Sequence, residues 1–275
     1  MPVGSGRFGL SGGRDLLIPP DIGADPTYIF HASSWNTASN QWDDHLGNSV
    51  TQIVDGTPTY VAAVTDVPYS GGTAVTLPAV RFDGTDDGWE VSQIQINGGN
   101  MSTFWISRWG DGASNSNTAG EGSPIRAFNS GGKTSYFGHQ EHEDGQCRVM
   151  NTKITPDSNG DGSTPSTLSS AANGSLWYVH GFRSNISPNQ AEAAYIVRAR
   201  NAIGGGTVNT QITKQNVNSG VSGFSGPMTI NKGAEFNGYS HSPVDINGIW
   251  QYNTNLSDTQ ITNIVLYLGN LVGLN

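Results

Sequence analysis

The sequence predicts an all-β antiparallel sandwich of jelly-roll type, closed by one short C-terminal helix. Three observations carry this. Short apolar segments recur along the chain, separated by connections rich in Gly, Ser, Thr and Asn. Some of these segments are apolar on both faces, which suits strands in the middle of a packed sheet. In residues 102–108, Phe104 and Ile106 face one way and Trp105 the other, with Trp109 following on the second face. The one strong helical pattern lies near the C terminus.

Residues 1–26 read as an N-terminal arm, and 27–275 as the sandwich domain. The arm is rich in Gly and Ser and has no hydrophobic period. Either a neighbouring chain holds it or it packs back across its own sandwich. Arg7, Phe8, Leu10 and Arg14 are the residues expected to anchor it. Strands are expected over 28–32, 59–64, 79–82, 88–91, 102–108, 125–129, 134–139, 146–152, 175–182, 193–200, 228–230 and 245–252. Stretches 110–122, 155–173, 201–210 and 217–226 read as rim loops. In the last strand Ile246, Gly248, Trp250 and Tyr252 share a face. Ser257 then stands as a helix N-cap with Gln260 three residues on, a capping box. Leu256 can staple onto Ile261. Ile261, Ile264, Val265 and Leu268 recur at helical spacing, and Gly269 is expected to end the helix in a left-handed conformation. So short a helix needs a surface to lie on.

Four motifs stand in a fixed order. Trp42-Asp43-Asp44-His45-Leu46-Gly47-Asn48 comes first, then Ala79-Val80-Arg81-Phe82-Asp83-Gly84-Thr85-Asp86-Asp87. Leu176-Trp177-Tyr178-Val179-His180-Gly181-Phe182 follows, and Gly248 to Ile261 closes the series. Together they resemble concanavalin A-like (LamG-like) lectin and glucanase domains over residues 28–272. The resemblance implies a concanavalin A-like sandwich. It implies no single activity, because this fold carries lectins, hydrolases and structural modules alike.

Composition narrows the function. The chain carries a net charge of −9 with only 13% charged residues, which argues against nucleic acid as a partner. No apolar run reaches the roughly 18 residues of a membrane span. The N-terminal residues contain no apolar core of a secretory signal, so none is expected. A single cysteine, Cys147, excludes an internal disulfide framework.

The fold hosts glucanases, so paired carboxylates matter. A retaining hydrolase needs two carboxyl groups about 5 Å apart. The Glu-x-Asp-x-x-Glu strand of the superfamily's hydrolases has no counterpart here. Glu141 and Glu143 alternate but run into Gly145, so they read as a hairpin tip in water. Asp157-Ser158-Asn159-Gly160-Asp161-Gly162 places oxygens on alternate residues of a tight loop. Asp157, Asn159 and Asp161 could converge on calcium there, or form an Asx-rich turn without metal. Position twelve of that loop is Leu168, so it is no EF-hand. Asp83, Asp86 and Asp87 present the same choice, with a polar turn favoured. A sugar site uses an aromatic face with amides and carboxylates around it. Trp89, Trp105, Trp177 and Trp250 sit in strand patterns and read as core. Trp35, Trp42 and Trp109 lie near loops and are the candidates for carbohydrate binding.

The expectation is therefore a non-enzymatic structural or adhesive module. Few lysines, one cysteine and the loop composition resemble bacteriophage virion proteins. Such a protein would be a capsid decoration or tail-associated subunit, made in the host cytoplasm and localised to the virion. Its partners would be other virion proteins, through the arm, in an oligomer or larger assembly, with cell-surface glycans as a further ligand. The alternatives are a glycan-acting hydrolase and a free lectin.

Overall fold

The computed structural model describes residues 16–20, 22–66, 74–96, 101–109, 126–128, 135–141, 147–153, 177–187, 190–200, 208–217, 226–230 and 243–274. The first strands are β1 (Tyr28–His31), β2 (Trp35–Asn36), β3 (Gln41–Trp42), β4 (Gln52–Asp55), β5 (Thr59–Thr65) and β6 (Thr76–Asp83). Next come β7 (Gly88–Ile96), β8 (Met101–Trp109), β9 (Arg126–Phe128), β10 (Ser135–Glu141), β11 (Cys147–Lys153) and β12 (Tyr178–Ser187). The last are β13 (Gln190–Arg200), β14 (Val208–Val217), β15 (Gly226–Ile230) and β16 (Pro243–Tyr252), followed by helix α1 (Asp258–Leu271).

The larger sheet runs β14-β13-β12-β8-β16-β6-β5, with β1 also on β16. The smaller runs β11-β10-β9-β15-β7-β4. Every pairing is antiparallel. Phe30 of β1 meets Trp89 of β7 edge to face, with ring centroids 5.0 Å apart, so the two sheets pack on each other. Met228 lies opposite Val91 and Ile230 opposite Trp89, and all four are fully buried on that inner face. This is the antiparallel sandwich with one terminal helix that the strand pattern predicts.

β16 organises the larger sheet. One side pairs with β8 along its length; the other pairs with β6 through Ile246 and with β1 from Gly248. The change of partner falls at Asn247, where the β8 ladder shifts register. Its side-chain amide donates to Pro78 O at 2.9 Å and lies 3.5 Å from His31 Nε2, so it bridges the two strands that part there. Gly248 is required next to it. A Cβ there would stand 2.8 Å from the buried Trp250 ring.

The outer face of β16 and β8 carries Trp250, Tyr252, Phe104 and Ile106, and α1 covers it with Ile261, Ile264, Val265 and Leu268. The capping box forms as read. Ser257 Oγ accepts from Gln260 N at 3.3 Å, and Ser257 N donates to Gln260 Oε1 at 2.8 Å. The expected stop at Gly269 is corrected. Gly269 is buried inside the helix, and the left-handed residue is Gly273, with φ of 78°. Gly273 N donates to Asn270 O and Leu274 N to Gly269 O, which is a Schellman ending. Leu274 is buried beyond it, so the apolar surface extends past Leu268 and draws the helix on. Ser257→Ala is expected to cost about 1 kcal/mol. Ile264→Ala should cost about 2–4 kcal/mol, because its side chain is fully buried. Guanidinium titrations of both variants check this ordering.

Three further readings are adjusted. Residues 16–20 and 22–26 are not a detached arm: Leu17, Ile18, Ile22 and Ala24 pack against the core cluster. Trp250 Nε1 donates to Leu17 O at 2.8 Å, and Gln260 Nε2 and Tyr267 Oη donate to Ile22 O and Leu16 O. These residues thus pack on their own sandwich, the second of the two alternatives. Residues 208–210 belong to β14 rather than a loop, because pairing with β13 overrides a polar sequence. β4 was also illegible. It is four residues long, and its Gln52 acts through its side chain.

Candidate functional site

The motifs of the resemblance turn out to hold strands and turns. In the first, Asp44 Oδ1 accepts from Ile29 N at 2.7 Å, and Oδ2 accepts from Asn48 N and Nδ2. This pins the turn to β1. Gln52 receives Trp42 N and Trp89 Nε1 on one oxygen and donates to Trp42 O, joining β3, β4 and β7. Asp66 accepts from Val75 N at 2.6 Å across the β5–β6 connection.

Trp35 and Trp42 are corrected as sugar-stacking candidates. Trp42 is fully buried and Trp35 is 7% exposed. Their rings pack edge to face at 5.9 Å, and Trp42 packs on Trp89 at 5.6 Å. Trp42 Nε1 donates to His31 O at 2.7 Å. Both lie beside loops in sequence but are buried, so neither offers a face to a ligand. Trp89, Trp105 and Trp250 are buried, as their strand positions suggest, and Trp177, just before β12, is buried too. Asp157, Asn159 and Asp161, the calcium candidates, lie outside the described residues, as do Arg7, Phe8, Leu10 and Arg14 of the arm. Glu143 lies outside them too; Glu141 ends the β10 ladder opposite Cys147.

The polar residues that the fold does gather lie at one rim, where β6 and β8 end and β16 and β7 begin. Val244 stands between Phe82 of β6 and Trp109 of β8. The backbone of Trp109 is thus two strands from the end of β6, roughly 10 Å. Just beyond Phe82, the carboxyl oxygens of Asp83, Asp86 and Asp87 lie within 4.8 Å of one another. Asp87 is buried and committed to the turn: it accepts Thr57 N at 2.7 Å and Asp83 N at 2.8 Å. Burial raises its pKa above the usual 3.8, the two N–H bonds oppose this, and the charges of Asp83 and Asp86 add to it. Asp83 and Asp86 are exposed, and Asp83 Oδ1 accepts Thr85 N at 2.7 Å. Three carboxylates suit a hard cation such as calcium in kind, but the bonds seen here are those of a polar turn.

One layer below this rim lies an ion triad. Asp245 is fully buried between Arg81 and Arg108, its neighbours in register on β6 and β8. Arg81 Nε and Nη2 donate to it at 2.7 and 3.0 Å, and Arg108 Nε at 2.9 Å. Arg108 also donates to Thr65 O. The triad fastens three strands beneath the rim. No spacing in the sequence announces it, because the partners are 164 and 137 residues apart.

Comparison with known proteins agrees with this architecture. No protein-family model matches the chain, and no curated protein does. Solved structures do match. The binding domain of botulinum neurotoxin serotype D superposes with a TM-score of 0.50 at 12% identity, over 90% of this chain and 51% of that one. Trypanosoma rangeli sialidase in complex with sialic acid gives 0.53 at 14% identity, over 88% of this chain and 32% of that one. The same sialidase with 2,3-difluorosialic acid gives 0.54 at 14%, over 92% and 33%. The likeness shows the fold. The chain spans about half the length of the toxin domain and a third of the sialidase.

Proposed function

We propose that the chain is a non-enzymatic glycan-binding module of a virion, a bacteriophage capsid decoration or tail-associated subunit that displays its sandwich outward. The observation that carries the glycan reading is the rim. It brings the backbone of Trp109 to the same end of the sandwich as the exposed carboxylates Asp83 and Asp86, and sugar sites combine an aromatic residue with polar oxygens. The matched folds lend support: one is a toxin's binding domain, and another is a sialidase in complex with sialic acid. The non-enzymatic reading is supported by what the placed carboxylates do. Asp44, Asp66, Asp87 and Asp245 each hold backbone amides or arginines.

The virion reading rests on composition and on the N-terminal residues. Deleting residues 1–15 should leave a folded sandwich, because Leu17, Ile18, Ile22 and Ala24, which pack on the core, are kept. The same deletion should abolish co-sedimentation with purified particles. Unchanged incorporation would overturn the arm's role. For the glycan reading, Trp109→Ala should lower affinity for a bound glycan roughly tenfold or more. Unaltered affinity would move the site away from the rim.

A further inference from the structure

We propose that residues 16–20 and 22–26 form a strap that opens from α1 and β16 as a unit, and that the buried hydroxyl of Tyr252 keeps it poised to do so. The described residues of the strap are in neither helix nor strand. The backbone bonds described for this part of the chain begin at Thr27, whose N–H donates to Gln251 O at 2.6 Å. Before that point three side chains grip the strap by its carbonyls. Trp250 Nε1 donates to Leu17 O at 2.8 Å, Tyr267 Oη to Leu16 O at 2.9 Å, and Gln260 Nε2 to Ile22 O. Leu17, Ile18, Ile22 and Ala24 pack against the core cluster but stay partly exposed. A segment held by side chains and half-buried contacts opens at a lower free energy than the paired strands beneath it.

Tyr252 tilts the balance. Its ring is fully buried and meets Phe104 edge to face at 5.6 Å. Its hydroxyl is shut from water and has no hydrogen-bond partner among the described residues. The strap leaves the sandwich alongside this residue: Thr27 binds on both sides of it, giving its N–H to Gln251 O and taking Asn253 N on Oγ1 at 3.2 Å. Burial raises the pKa of Tyr252 above the usual 10.0, and the charge of Asp25, two residues before Thr27, adds to this. A buried hydroxyl without a partner opposes closure, because it has given up water for nothing in exchange. Opening lets water return to it, which brings the open and closed states closer in free energy. Residues 1–15 lead straight into the strap, so a pull on them reaches this clasp before it reaches the sheets.

Native-state proteolysis of the full chain with thermolysin tests this. Cleavage before Ile22, followed by mass spectrometry at increasing urea, reads the population of the open strap. The wild type should be cut there with a weaker urea dependence than unfolding of the sandwich shows, since opening the strap exposes little surface. Two matched substitutions should then act in opposite directions. Tyr252→Phe removes the unpartnered hydroxyl and should slow the cut about tenfold. Tyr267→Phe removes one of the three tethers and should speed it about threefold. No cut before Ile22, or one with the urea dependence of global unfolding, would overturn the proposal. So would a Tyr252→Phe chain cut as fast as the wild type, or a Tyr267→Phe chain cut no faster. None of these readouts depends on glycan binding or on what residues 1–15 engage.

Discussion

Asp245→Ala is expected to destabilise the chain by about 3–5 kcal/mol, the range for removing one partner of a buried ion pair. The reason is asymmetric burial. Arg108 is 3% exposed and Arg81 36%, so without Asp245 the first guanidinium stays buried in the sheet without that carboxylate while the second can turn to water. Arg81→Ala should therefore cost far less, about 1 kcal/mol or below, as for a pair open to solvent. Urea titrations of the two variants separate these outcomes. The loss in Asp245→Ala should also persist at high salt, since buried pairs are weakly screened. Equal, small losses would show that water reaches Arg108 and that the triad does not fasten the strands.

Trp42→Ala should cost about 3–5 kcal/mol, as for deletion of a fully buried aromatic ring. The indole sits among Phe30, Trp35 and Trp89, and its N–H satisfies His31 O. Removing it opens a cavity between the sheets and leaves that carbonyl without this donor. Trp42→Phe should retain part of the packing and lose the hydrogen bond. Any glycan affinity measured on the folded fraction should be the same as in the wild type. Lost affinity with unchanged stability would return Trp42 to the ligand site.

These two residues show where the sequence speaks and where it is silent. The strands of the inner face and the helix were legible because each is a local pattern. Period-two alternation marks β8 and β16, and a capping box with a 3–4 spacing marks α1. The end of α1 was misplaced because Gly269 and Gly273 look alike in sequence; only the burial of Leu274 separates them. The direction of Trp35 and Trp42 was misjudged because proximity to a loop says nothing of which sheet face a side chain meets. Asp245 with its arginines, Gln52 with two tryptophans and Asn247 at the parting of β6 and β1 were out of reach. Each joins residues distant in the chain, and a lone polar residue in a strand gives no sign of its partner. The rim was half legible. The acidic turn after Phe82 could be read, but its place at the same rim as the backbone of Trp109 depends on β16 lying between them.

The central proposal is that this sandwich binds glycans without cleaving them. The direct measurement is binding of the full chain to a broad panel of immobilised neutral and sialylated glycans, followed by mass spectrometry of the same glycans after prolonged incubation. The account predicts retention on at least one glycan class, loss of that retention in Trp109→Ala, and intact glycan masses throughout. Shortened products that vanish in Glu143→Gln, or no binding to any glycan on the panel, would contradict it.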